Sequence, residues 1–205
     1  MAHFIEELSS GGYSESDFRR FVKSFSHLIT ARKKYREKPL FQDLIIRILD
    51  ELGASDEEKR IAEYVAEIYD SGLLLIDEDI LGKKTLSQAE KRSVKSHPHN
   101  TVLLLDSFEY SETVKRTILY HHERFDGTGY PDGLQGEEIP FLARVIAVVD
   151  SFCAMLEDRP YRKKIGWETA LEEIIQGAGS LYDPAVTEAL QKSLRKDRSW
   201  EQAAK

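Results

Sequence analysis

Residues 121–164, "HHERFDGTGYPDGLQGEEIPFLARVIAVVDSFCAMLEDRPYRKK", carry the pattern on which the fold turns. The adjacent His121 and His122 open a loop containing Gly127, Gly129, Gly133 and Gly136. Consecutive side chains on a helix point about 100° apart. Two neighbouring imidazoles therefore serve one ion only at a helix end, between them. From spacing alone the pair reads either as structural histidines or as ligands. The apolar run "ARVIAVVDSF" that follows has no decisive period and suits a strand or a buried helix equally. Beyond it, Arg159, Arg162, Lys163 and Lys164 form a dense basic cluster. As a charge run, that cluster is ordinarily a solvated face.

Helix signals dominate elsewhere. Phe18, Phe21, Val22, Phe25, Leu28 and Ile29 share one helical stripe behind a candidate N-cap, Ser14. "RKKYREKP" breaks that stripe at Pro39. Leu40, Phe41, Leu44, Ile45, Ile48, Leu49 and Leu52 repeat it, with Gly53 as the stop. Ser55 with Glu58, and Ser87 with Glu90, are capping boxes. The helix after Ser87 is predicted to run toward His97 and to end at Pro98. Asp183 and Pro184 open a helix toward Leu194, and the tail "RKDRSWEQAAK" is expected to fray. Asp70, His97 and Asp150 each fall near the end of a predicted helix, which makes a metal cluster with the histidine pair conceivable.

Composition narrows the classes. A chain of 205 residues with 41% hydrophobic and 32% charged residues has the make-up of an ordinary globular protein. A net charge of −7 argues against nucleic-acid binding but leaves room for a small anionic ligand at a local basic cluster. No apolar run is long enough for a membrane span, and the start "MAHFIEELSSGG" lacks a signal-peptide pattern. With Cys153 as the sole cysteine, no intrachain disulfide forms and a cytoplasmic location is the default.

The long motif resembles the signature of the HD-GYP domains, all-helical metal-dependent phosphodiesterases that hydrolyse cyclic di-GMP. Gly129, Tyr130 and Pro131 match the namesake triplet, and the histidine pair, the glycine loop, "AR…D" and "RPYR" follow in order. "ILGKKTLSQAEKRSVKSHP", "LGASDEE" and "YDPAVTEAL" resemble further family segments, so the likeness spans roughly residues 40–194. It implies an all-α helical bundle of the HD superfamily over 39–205, with residues 1–38 as an extra N-terminal helical segment. That amphipathic segment either packs on the domain or supports a homodimer.

The resemblance also implies roles, and departures from them. In the family's binuclear centre one metal takes a bridging aspartate and three histidines, which map to Asp70, His97, His121 and His122. The other takes an upstream histidine, both residues of the HD dyad and a late aspartate, of which only Asp70 and Asp150 remain. The dyad and its lysine read Tyr69-Asp70-Ser71-Gly72-Leu73, and the upstream position offers Pro39, Leu40 and Phe41. Cys153 replaces a second acidic residue of the family. Tyr69 reads as a half-buried helical aromatic, with phenolate ligation of a ferric ion as the minor alternative. The expected cofactor is one divalent transition metal per chain, iron or manganese before nickel or zinc, since a shell of three histidines and a carboxylate suits these ions. Tyr130, Arg159 and Arg162 map to residues contacting the cyclic dinucleotide. The expected function is an impaired phosphodiesterase acting as a cyclic di-GMP sensor or a partner-binding module. The alternatives are an active enzyme with an altered centre, and docking of a diguanylate-cyclase domain.

Overall fold

The computed structural model describes residues 17, 20–22, 39–108, 110–159 and 162–196. Its elements are helical: α1 (Pro39–Glu51), α2 (Asp56–Ile68), a 3-10 turn (Ser71–Leu75), α3 (Glu78–Leu81), α4 (Gln88–Lys95), α5 (His97–Leu105), α6 (Glu112–Tyr120), a second 3-10 turn (Gly136–Glu138), α7 (Phe141–Met155), α8 (Trp167–Gln176) and α9 (Pro184–Lys196). No strand occurs among the described residues, as the all-α expectation requires.

The ambiguous run is the central helix, α7. Nine of its fifteen residues are buried, because α1, α6, α8 and α9 all pack around it. A helix covered on most sides has apolar residues nearly all round and so loses the amphipathic period. The α1 stripe supplies Phe41, Leu44, Ile45, Ile48 and Leu49 to the same core, all fully buried. Arg144 of α7 donates to the Ile139 carbonyl at 3.1 Å and pairs with Asp183, whose Oδ1 accepts from Ala185 at the start of α9. One guanidinium thus ties the exit of the glycine loop to the last helix.

Local signals decide most of the helix ends. Both predicted capping boxes form, Ser55 with Glu58 and Ser87 with Glu90. Gly53 takes φ 68° after α1, a left-handed conformation that disfavours a Cβ. The expected continuation of α4 to His97 is not observed. α4 stops at Lys95, and Pro98 lies in the first turn of α5, where its missing N–H costs nothing. Of the N-terminal stripe, Val22 is buried in the core and Phe21 meets Phe108 at 4.4 Å between ring centroids, so these residues pack on the domain. Ser14, Phe18, Phe25, Leu28, Ile29 and residues 197–205 of the C-terminal tail lie outside the described residues, while Arg195 and Lys196 of that tail continue α9.

The tightest approach is at Gly72, where the first 3-10 turn meets α5. A Cβ on Gly72 would stand 2.0 Å from the His97 carbonyl oxygen and 2.6 Å from the Thr101 nitrogen. Both neighbours are backbone and cannot swing away. Gly72→Ala should therefore cost about 1–3 kcal/mol as an overpacked site. Thermal unfolding should show this as a Tm lowered by roughly 2–4 °C for each kcal/mol; an unchanged Tm would contradict the packing described.

Candidate metal centre

Three helix ends deliver the site. Asp70 follows α2 and precedes the first 3-10 turn, His97 opens α5, and His121 and His122 follow the last residue of α6. Thr101, fully buried, binds the first two of these segments together. Its hydroxyl accepts from Gly72 N–H at 2.8 Å and lies 3.0 Å from both the Tyr69 and His97 carbonyls, donating to one at a time.

One ligand atom from each of Asp70, His97, His121 and His122 lies within 4.8 Å of the others. His97 Nε2 stands 3.3 Å from His121 Nε2, 3.2 Å from His122 Nε2 and 3.3 Å from Asp70 Oδ1. His121 Nε2 is 3.7 Å from the same carboxylate oxygen. Nitrogens bound at about 2.0–2.1 Å to one tetrahedral ion stand about 3.4 Å apart, so the observed spacing fits a common ion. The tautomers agree. His97 Nδ1 lies 2.8 Å from the Val94 carbonyl and His121 Nδ1 2.7 Å from the Ile118 carbonyl. A carbonyl only accepts, so each Nδ1 carries the proton, and in the neutral ring Nε2 presents a lone pair. Lone pairs converging at this distance repel unless a proton or a cation lies among them. Second hydrogen bonds of this kind are what orient metal-ligating histidines.

The surroundings act on His97 and His122 in opposite directions. Burial opposes a charge on His97, but the hydrogen bond and charge of Asp70, helped by the Val94 carbonyl, outweigh it and raise the pKa above the ordinary value. Burial, then the neighbouring His121 and His97, push His122 well below its ordinary value and keep it neutral, the form that ligates.

Asp150 does not join this group. Its Oδ1 accepts a hydrogen bond from the Tyr69 hydroxyl at 2.8 Å. Tyr69 is not the half-buried aromatic expected from the sequence. It is 2% exposed, stacked on Phe41 at 5.1 Å and 11° and set edge-on to His121 at 5.1 Å. Burial, then the charges of Asp150 and Asp70, hold its pKa well above the ordinary phenol, so the hydroxyl keeps its proton and donates.

Above the histidines lies a cavity of about 250 Å³, whose walls include Lys95, His122, Arg124, Tyr130, Asp150 and Tyr182. Tyr130 stacks on His122 with centroids 4.9 Å apart and an interplanar angle of 23°, and its N–H donates to the His122 carbonyl. The glycine loop is held by Glu123, 3% exposed, whose Oε1 accepts from the N–H groups of Asp132 and Gly133 at 2.8 and 2.9 Å. Gly129 packs against this residue so closely that a Cβ would meet Glu123 Cα at 2.4 Å. Arg159 and Arg162 lie on the segment after α7. Neither lines the cavity. Their backbones pair with each other, and Arg162 turns its guanidinium to the Ala154 carbonyl at 3.0 Å, near the C-terminus of α7. Carbonyls at a helix end lack intrahelical partners and draw such donors.

Sequence reasoning passed over Thr101, Glu123, Lys95 and Arg124. Glu123 had a readable signal, a carboxylate directly beside the histidine pair. Thr101 had none, since its role depends on three backbone segments that meet only in the fold.

A family profile described as HD domain matches residues 23–186. The chain is 39% identical over 146 residues to the cyclic di-GMP phosphodiesterase response regulator RpfG of Xanthomonas campestris, covering 70% of this chain and 39% of that protein. It is 32% identical over 179 residues to 3'3'-cGAMP-specific phosphodiesterase 3 of Vibrio cholerae, covering 84% of this chain and 38% of that one. The chain thus spans about two fifths of the length of these curated relatives. Among solved structures, Bd1817, an HDG"Y"P protein from Bdellovibrio bacteriovorus, superposes with a TM-score of 0.62 at 17% identity, covering 87% of this chain and 60% of that one, which bears on the fold alone. With its helical bundle, its clustered aspartate and histidines and its Gly129-Tyr130-Pro131 loop, the chain belongs to the HD domain family, in the HD-GYP branch.

Proposed function

We propose that this domain is a metal-dependent HD-GYP module of cyclic di-GMP signalling. Its centre holds one divalent transition ion, it hydrolyses poorly, and it serves as a cyclic-dinucleotide sensor or a partner-binding module. The observation that carries this reading is the division of the two aspartates. Asp70 stands with three histidines around one point, whereas Asp150 is engaged by the Tyr69 hydroxyl. Tyr69, stacked on the buried Phe41, sets beside Asp150 a ring and one protonated oxygen. Neither phenyl nor protonated phenol is a ligand for a divalent ion.

An ion held by Asp70, His97, His121 and His122 supplies Lewis acidity toward a phosphoryl oxygen. The chain's own residues do the rest. Tyr130, fixed by its stack on His122, offers an aromatic wall to a base. Glu123 keeps the loop that carries this wall in place. Leu73 stands where the resemblance leads one to expect a cation, so one offset to phosphoryl charge is missing. The names of the relatives support a cyclic dinucleotide as the ligand class. The complete four-residue set favours a second reading, an active phosphodiesterase with an altered centre.

Two measurements test this. Elemental analysis after gentle purification should find about one iron or manganese per chain, and His122→Ala should lose it. Two tightly held ions per chain would overturn the single-ion reading. Incubation with cyclic di-GMP should give saturable binding with little linear dinucleotide; rapid appearance of that product would establish the active enzyme instead.

The Tyr69–Asp150 contact is tested separately. Tyr69→Phe leaves the carboxylate without its phenol donor and should cost about 1–3 kcal/mol. Chemical denaturation reads that loss. The metal content should stay near one per chain, because the new ring still fills the space beside Phe41.

A further inference from the structure

We infer that Lys95 and Arg124 are the phosphate-binding side chains of the cavity, one on each flank of the ligand shell. The inference rests on the reading of the cavity as the site of a phosphodiester anion, and it names the groups that would recognise it.

Both cations line the cavity, and both are fixed by their distance along the chain from a ligand. Lys95 lies two residues before His97, and Arg124 two residues after His122. Whatever places the histidines places the cations too. Lys95 ends α4, and its ammonium sits 4.8 Å from the centroid of the Tyr130 ring, which itself stacks on His122. A cation over an aromatic face is held there by the ring quadrupole. Arg124 is held by its backbone. Its carbonyl accepts from Gly127 N–H at 2.8 Å, and a Cβ on Gly129 would stand 2.4 Å from the Arg124 nitrogen. Glu123 turns inward to bind the loop, and Arg124 is exposed.

The two carboxylates that line the cavity face other donors, Glu123 Oε1 the loop N–H groups and Asp150 Oδ1 the Tyr69 hydroxyl. Neither Lys95 nor Arg124 makes an ion pair with another described residue, in contrast to Arg144 with Asp183 or Lys83 with Glu90. In a chain of net charge −7, two such cations above a cluster of metal ligands mark the place where an anion is attracted. Arginine offers a planar two-pronged donor and lysine a compact charge, the two common ways of meeting phosphate. The cavity, about 250 Å³, is smaller than the roughly 300–1,000 Å³ of pockets that enclose whole drug-sized ligands. It takes a phosphodiester and one flanking nucleoside, with Tyr130 and Tyr182 as aromatic walls, and leaves the remainder of a cyclic dinucleotide outside.

Calorimetry on the metal-loaded full chain decides this, with cyclic di-GMP and inorganic phosphate as separate probes. Lys95→Gln and Arg124→Gln should each raise the Kd about tenfold or more, with unchanged metal content by elemental analysis and a weaker salt dependence of binding. Lys95→Arg should recover most of the affinity. Lys192→Gln, a charge-matched change on α9, should bind as the parent does. Parent-like binding by both Lys95→Gln and Arg124→Gln would overturn the inference and leave the proposed function intact. If the parent protein ignores cyclic di-GMP yet binds phosphate through these two cations, the inference stands and the dinucleotide reading falls. If the parent binds neither probe, both fall.

Discussion

The molecule is organised around the repulsion that three imidazole lone pairs and a carboxylate would feel if they met without a cation. His97 and His121 cannot relieve it by changing tautomer, because the Val94 and Ile118 carbonyls hold their Nδ1 protons. The remaining nitrogens are committed to one point in space. Bringing them there requires α5 to press on the turn after α2, and this contact tolerates only a glycine at position 72. Thr101 then satisfies the backbone groups that the contact buries. The fold and the metal centre are therefore one constraint. The same backbone approach that buries α5 against the 3-10 turn also sets the separation between Asp70 and His97.

Much of this was legible in the sequence, for identifiable reasons. Capping boxes at Ser55 and Ser87 are local chemistry, a side chain meeting an N–H three residues on, and they survive into the structure unchanged. The stripe of α1 is one-sided because α1 is covered on one side. The Asp70, His97, His121 and His122 set could be named because a long motif resembled a family, whereas spacing alone left it open. The failures are tertiary. α7 lost its period because neighbours surround it. Pro98 was read as a stop when it is a start, since proline breaks the helix before it and suits the first turn of the helix after it.

The basic residues show the limit most clearly. Counting charge along the chain points to Arg159, Arg162, Lys163 and Lys164, the densest run. In three dimensions Arg162 is occupied with the end of α7, and the cavity's cations come from two single residues in different segments. Charge density in sequence measures local solvation. Charge density in a cavity depends on which side chains are left over once every carbonyl and carboxylate nearby has found a donor. That bookkeeping cannot be done before the helices are placed.

The pair Tyr69 and Phe41 completes the physical argument. The two rings suit each other. Phe41 is fully buried and stacks nearly parallel on Tyr69, so truncating either ring would leave a cavity. The hydroxyl in turn needs an acceptor once it is buried, and Asp150 provides it. Asp150 thus has a hydrogen-bonding role that does not depend on an ion. A carboxylate that persists at a family metal position is weak evidence for the metal when a phenol stands within hydrogen-bond reach. Asp70 is different, since the groups converging on it are imidazole nitrogens whose protons are spent elsewhere. What distinguishes the two aspartates is the identity of their neighbours, and that difference makes the histidine side the better-formed cation site.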